Sequence, residues 1–269
     1  MTDWADAQGA FRLLYKNYLE RGLIDPNAHG LRFTHFNLLE SSATFVARLD
    51  GRVIATLSVM VDCPSFGIPM DALYHPELKG MRRRELRPAE GSGLAVDPEY
   101  RPIGMYIVMN LVKMAIHYAQ CCGADTAVIA CHPKHTRFYE DVFLFEQFGE
   151  CRTYGAVNGA PAVALELPIS GLEEKYRESS AEEGPGIYRY FFTDEFFRCP
   201  DMTPLQGALS PKACRELCQL QPEIVQFFER REPGLVASRT GWGERLMQHR
   251  FQGAPSEGPF IVASAFVAA

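Results

Sequence analysis

The chain has 269 residues, enough for one large domain, or for a domain of ordinary size plus a smaller one, with a substantial core. With 47% apolar and 22% charged residues and a formal net charge of -6, it reads as an ordinary, mildly acidic globular protein and not as one whose main partner is nucleic acid. Its eight cysteines show no CxxC pairing, which argues against a zinc site or a disulfide framework and for reduced thiols.

The first residues, MTDWADAQGAFRLLYKNY, lack the basic-then-apolar order of a secretory signal, and no run of about 18 apolar residues could span a bilayer. A cytoplasmic protein without integral membrane association is expected. Residues 10–22 place Phe11, Leu14, Tyr15, Tyr18 and Leu19 at helical spacing and end on Gly22, the first expected helix. After a loop carrying His29 and His35, TFVARLDGRVIATLSVMV reads as two strands around Asp50-Gly51, a strong hairpin turn. Residues 62–88 are turn-rich and then basic. GSGLAV supplies the next short strand, and MYIVMNLVKMAIHYA, apolar nearly all round, a buried helix. TAVIAC then reads as a strand, HTRFYEDVFLF as a short helix and AVALEL as a last strand behind the Asn158-Gly159 turn.

This order predicts an α+β fold, a sheet with helices packed on it, over residues 1–169. The following SGLEEKYRESSAEEGPG has the composition of a linker or exposed loop. Beyond it, LSPKACRELCQL places Ser210 at an N-cap with Pro211 at the first helical position, and PEIVQFFERREPG repeats the logic with a Pro-Gly stop. Residues 170–269 are therefore expected to form a mainly helical extension. Its last stretch, GPFIVASAFVAA, reads as a terminal strand or docked tail.

The stretch AEGSGLAVDPEYRPIGMY, residues 89–106, joins a strand to the buried helix through Arg101-Pro102-Ile103-Gly104. Free N–H groups at a helix start bind anions, and glycine lets a ligand approach the backbone, although a proline in the first turn also suits a bare helix start. With ADTAVIACHPKHTRFYEDVFLFEQFG following, the pattern resembles the Gcn5-related N-acetyltransferases, whose fold is a mixed sheet flanked by helices. The resemblance implies that Arg101, Gly104, Met105 and Tyr106 hold the pantetheine of an acyl donor. Phe138-Tyr139 through Leu144-Phe145 loosely match a second motif of that superfamily, which implies that Tyr139 protonates the departing thiolate; such a tyrosine also packs well as core. Tyr106 stands where the superfamily keeps a small residue, which counts against coenzyme A and favours a carrier protein with its single phosphate.

More of the chain is similar, segment by segment, to the N-acyl amino acid synthases, which share this fold with the acyl-homoserine lactone synthases: FRLLYKNYLERGLI, TFVARLDGRVIATLSV, GIPMDALY, AEGSGLAVDPEYR, HPKHTRFYED and VNGAPAVALEL. That similarity implies transfer of a long-chain fatty acyl group from acyl carrier protein, as a 4'-phosphopantetheine thioester, to the amino group of an amino acid. Acyl-coenzyme A is the alternative donor, and no resident cofactor is implied. An ammonium must lose a proton before it attacks a thioester, so a carboxylate or histidine must lie within reach.

Glu90 falls on the glutamate of the family's E-x-S-R pattern and Ser92 on its serine, whereas Gly93 replaces the arginine and removes any ion pair made there. Asp71 matches a position near the acceptor, or caps a helix. Arg82, Arg83 and Arg84, in an acidic protein, form a docking patch for an acidic carrier or a solvated loop. Met105 and Met109 are candidates for the acyl tunnel, with ordinary core packing as the stronger reading. CHPKH (Cys131, His132, His135) lacks companion ligands, and no metal is expected. The expected activity is N-acyl transfer. The rival readings are a non-catalytic binder of acyl carrier protein or acyl ligand, favoured by Gly93, and a coenzyme A-dependent N-acetyltransferase, disfavoured by Tyr106.

Overall fold

A computed structural model describes residues 4–183, 186–193 and 209–241. Asp50 and Gly51, both at positive φ (49° and 78°), close the hairpin between β1 (Ser42–Leu49) and β2 (Arg52–Val61), as the Asp-Gly pair predicts. With β3 (Pro88–Val96), β4 (Thr126–Cys131), β5 (Glu146–Tyr154) and β6 (Ala160–Pro168) they form one sheet in the order β1-β2-β3-β4-β6-β5. Only the β3–β4 pair is parallel. Strand β5 is an addition to the sequence reading. Its residues are mostly exposed or half-buried, because an edge strand needs no continuous apolar run.

Alternation along β2 divides the core between two helical layers. Ala55, Leu57 and Val59 pack with Ile107, Leu111 and Tyr118 of α3 (Gly104–Cys121), the buried helix that was expected. Met60 packs instead with Met70, Tyr74 and Leu78 at the start and middle of α2 (Asp71–Arg83). Helix α1 (Trp4–Glu20) lies against β2 and β3 through Leu13, Leu14 and Ala95. Helix α4 (Thr136–Phe143) joins the α3 layer through Phe143.

The middle of the sheet opens. Strands β3 and β4 pair at only three positions, Pro88–Thr126, Ala89–Ala127 and Glu90–Val128. On its other side β3 slips register against β2, with Ser92 opposite Ser58 but Ala95 opposite Thr56. Gly93, at φ 66°, is the residue that absorbs the extra length, a bulge that bends β3 away from β4. An added Cβ would sit 3.1 Å from Leu14 Cδ2, so any side chain here must push Leu14 aside as well as adopt a left-handed backbone. Gly93→Ala should cost about 1–2 kcal/mol in urea unfolding, since it combines a left-handed backbone with that close contact.

The stretch read as a linker is a helix, α5 (Leu172–Glu183). Leu172 and Tyr176, four residues apart on one face, are fully buried, and the Tyr176 hydroxyl donates to Phe143 O at 2.9 Å. The charged residues around them hid this narrow stripe from a compositional reading. A one-turn helix α6 (Gly186–Tyr188) leads into a wide turn over Arg189–Thr193. Then come α7 (Pro211–Leu220), α8 (Pro222–Arg231) and α9 (Leu235–Thr240), with the Ser210 hydroxyl accepting from Ala213 N–H as the cap. Ala213, Cys214, Leu217, Ile224, Phe228 and Val236 pack against Phe11 of α1 and against Leu31, Phe33, Leu38 and Leu39 in the segment before β1. GPFIVASAFVAA lies outside the described residues. Among the described residues there is no disulfide, and no helix is long and apolar enough to cross a membrane.

Candidate active site

A cavity of about 680 Å³ runs through the opening in the sheet. On the α3 side its wall is apolar and small-featured, from Val112, Ala115, Ile116 and Ala119 together with Ala127 and Ile129. On the opposite side it is lined by Tyr18, Arg32, Pro69 and Tyr154. Glu90, Ser92 and Tyr139 all line it, so three candidates separated by up to 49 positions in sequence meet one space. Met105 and Met109 do not line it; the cavity meets α3 one to two turns further along.

Glu90 sits at the last β3–β4 pair, where the strands part, and is only 2% exposed. Its Oε2 accepts from Met70 N–H at 2.7 Å. Burial pushes its carboxyl up to about 8, assisted by the negative charge of Asp71 and opposed by the Met70 N–H bond. A carboxyl held there exchanges its proton near neutral pH, which a general base for an amine requires. Ser92, two residues on, projects from the same face of β3 and lies opposite Ser58.

Tyr139 reaches the cavity from α4, its ring packed against Phe138, Phe143 and Phe145. Burial pushes its hydroxyl well above the usual tyrosine range. It therefore stays protonated and can donate.

Asp71 lies outside the cavity wall. Its Oδ2 accepts from Ile68 N–H at 2.9 Å, and both its oxygens accept from Arg82, at 2.7 and 2.6 Å. Burial pushes the Asp71 carboxyl up, but the Arg82 hydrogen bonds outweigh it and hold it below the usual range. Arg82 also forks onto Asp62 at 2.8 and 2.7 Å. Asp71 thus acts on the site at one remove: it fixes the Ile68–Asp71 turn that presents Met70 N–H to Glu90.

Arg82 is consequently committed inside the fold and is not a free docking cation, whereas Arg83 and Arg84 are exposed. This basic run also lies at the far end of α3. Arg87 Nη1 donates to Cys122 O just past that helix, about 27 Å along its axis from Gly104. At the near end Arg101, Met105 and Tyr106 are exposed, Met105 and Tyr106 by 54% and 44%. Gly104 has an ordinary helical φ of -58°, and an added Cβ would meet only Val96 Cγ1 at 3.9 Å. Neither backbone nor packing requires glycine there, so the space above it is available to a ligand. Arg32 and Tyr154 were not singled out from the sequence, and Tyr18 was read only as part of the apolar face of the first helix. The only local signal for Arg32 is its place between two core residues, Leu31 and Phe33.

The family model of the N-acyl amino acid synthase FeeM matches residues 9–168. The chain belongs to the N-acyl amino acid synthase family. The structure of FeeM, from uncultured soil microbes, is 27% identical over 63% of this chain and 94% of that one, with a TM-score of 0.55. TofI, solved with an inhibitor and MTA, is 12% identical over 63% and 87% of the two chains (TM-score 0.49). The acyl-homoserine lactone synthase LasI is 12% identical over 62% and 85% (TM-score 0.46). No curated protein matches the chain. The mixed six-stranded sheet with flanking helices is thus a Gcn5-related N-acetyltransferase-like α+β fold, and the protein is an N-acyltransferase. Helices α7–α9 lie beyond the residues that the family model matches.

Proposed function

We propose that this synthase moves a long-chain fatty acyl group from an acyl-carrier-protein thioester to the amino group of an amino acid, by direct attack and without a covalent enzyme intermediate. The observation that carries the reading is Glu90, a buried carboxyl held near 8 where the sheet opens into a two-sided cavity. Glu90 takes the proton that the ammonium must lose, and Ser92 hydrogen-bonds the acceptor or the thioester. As the C–N bond forms and the C–S bond breaks, the second proton of the nitrogen passes to the departing sulfur, whose thiolate Tyr139 stabilises by a hydrogen bond, so the carrier leaves as the free thiol and the proton held by Glu90 is released to solvent.

Beyond Glu90 and Val128 the facing edges of β3 and β4 have no ladder between them, so an amide-bearing pantetheine arm can pair with them as an extra strand would. The arm's phosphate lies toward the Arg101–Gly104 turn. The bulk of Tyr106 on the first turn of α3 favours a single phosphate over the diphosphate of coenzyme A, so no resident cofactor is required. The carrier docks at this end, near Arg101, rather than on Arg83 and Arg84.

The acyl chain runs along Ala115, Ala119 and Ala127. Ala119→Phe should therefore turn product formation toward shorter chains, changing the lauroyl-to-palmitoyl product ratio about tenfold in a competition assay. The activity itself is tested by incubating the protein with palmitoyl carrier protein or palmitoyl-coenzyme A and an amino acid mixture, and reading products by mass spectrometry. N-palmitoyl amino acids from the carrier-bound donor are expected. Tight carrier binding with no product would make the protein a binder, and product from coenzyme A alone would overturn the choice of donor.

A further inference from the structure

The transfer reading leaves unexplained how the site distinguishes an amino acid from any other amine. Gly93, where the related pattern has arginine, sits in a bulge and supplies no charge. A different cation faces the same space. Arg32 lines the cavity from the segment before β1, between Leu31 and Phe33, which are 1% and 4% exposed and anchor the backbone on either side. Its own N–H donates to Phe11 O at 3.0 Å, tying the segment to α1.

The guanidinium is oriented but not neutralised. Nη2 donates to Ala156 O at 2.9 Å, and the group lies 5.6 Å from the centroid of the Tyr18 ring. Among the described residues no carboxylate pairs with it, whereas Arg48, Arg52, Arg82, Arg152, Arg177 and Arg239 each have one. One of its five N–H donors is used by Ala156, and the others remain for a ligand.

Arg32 and Glu90 line the same cavity as Tyr18 and Tyr154. The hydroxyls of Tyr18 and Tyr154 are raised mainly by burial; beyond that, the Glu90 charge raises each further and the Arg32 charge lowers each. A cation and a carboxyl acting on shared neighbours in one cavity match the two charges of an α-amino acid, whose carboxylate lies two bonds from the reacting nitrogen. We infer that Arg32 is the acceptor-recognition residue, binding the α-carboxylate through a charge-assisted contact while the amino group faces Glu90. This inference rests on the transfer reading for the identity of the acceptor. It accounts for how a chain with glycine at position 93 can still select amino acids.

The test measures binding of product pairs, so it does not depend on turnover. N-lauroyl-leucine and its decarboxylated counterpart, the lauroyl amide of isoamylamine, are titrated into the full-length protein and into Arg32→Gln and Arg32→Lys. Wild type should bind the carboxylate-bearing amide about 30-fold more tightly, about 2 kcal/mol. Arg32→Gln should bring the pair within about threefold, and Arg32→Lys should recover part of the preference. In turnover with leucine, Arg32→Gln should raise KM much more than it lowers kcat. Equal affinities in wild type, or a preference that survives Arg32→Gln, would overturn the assignment. A preference lost in Arg32→Gln, in a protein that forms no product with any donor, would uphold Arg32 and remove the transfer reading instead.

Discussion

Glu90→Gln should lower kcat/KM for acyl transfer by about two to three orders of magnitude, the range lost when a general base is removed. The amide is nearly isosteric and keeps an oxygen for Met70 N–H, so the Ile68–Asp71 turn stays in place. In wild type, kcat/KM should climb with pH and level off above about 8, because only the deprotonated carboxyl can accept the amine proton. The variant should lose that rise. Stability moves the other way. Folding raises the Glu90 carboxyl from 4.5 to about 8, so the native state binds a proton that the unfolded chain has released. The stabilisation this provides is complete below about 4.5 and is lost as pH rises through about 8. Above that pH the wild type carries a buried, unpaired charge that glutamine does not, so Glu90→Gln should melt at a higher temperature there than wild type. Rate profiles and thermal melts across pH 5 to 9.5 check both signs; a variant with undiminished activity would remove Glu90 from the mechanism.

Leu217→Ala should destabilise the protein by about 2–5 kcal/mol, the cost of a cavity at a fully buried leucine, and should also weaken binding of the acceptor. The second effect follows from what Leu217 packs on. Helices α7–α9 cover Leu31, Phe33, Leu38 and Leu39, and the same segment carries Arg32, His35, Phe36 and Asn37 into the cavity wall. Arg239 reinforces the contact by donating to Leu38 O at 3.0 Å and Leu209 O at 3.2 Å. The His35 ring stacks between Phe36 and Phe227, with centroids 4.1 and 3.9 Å away, and burial with the nearby Arg231 lowers it to about 4, so it packs as a neutral ring. Chemical denaturation together with the acceptor KM separates the two effects. A stability loss with unchanged KM would show that these helices cover the core without shaping the acceptor side.

Elements with a strong local pattern were legible in the sequence. Asp50-Gly51 specifies a two-residue hairpin because both residues tolerate positive φ, and the helix now seen as α3 needs a continuous apolar run because it is covered nearly all round. Ser210 and Pro211 mark a helix start by satisfying, or dispensing with, its first N–H groups. Elements that bury a narrow stripe or none were not legible: β5 is an exposed edge and α5 hides Leu172 and Tyr176 among charges, while α2, expected only as a short helix after Asp71, continues past Pro76 with a kink at Tyr74.

The candidate site divides in the same way. Glu90, Ser92 and Tyr139 stand in motifs of contiguous residues, and sequence by itself was enough to single them out and to identify the family. Tertiary structure alone decided that Gly93 bends β3 away from β4 and that the resulting gap reaches α3. It alone showed that Asp71 and Arg82 are spent on each other and that Arg32 faces the cavity with no carboxylate beside it among the described residues. Those properties depend on burial and on which polar groups meet across 11 to 124 positions of chain. A local pattern carries the propensity of a segment, whereas the pKa of a carboxyl and the free donors of a guanidinium are set by neighbours that only folding brings together.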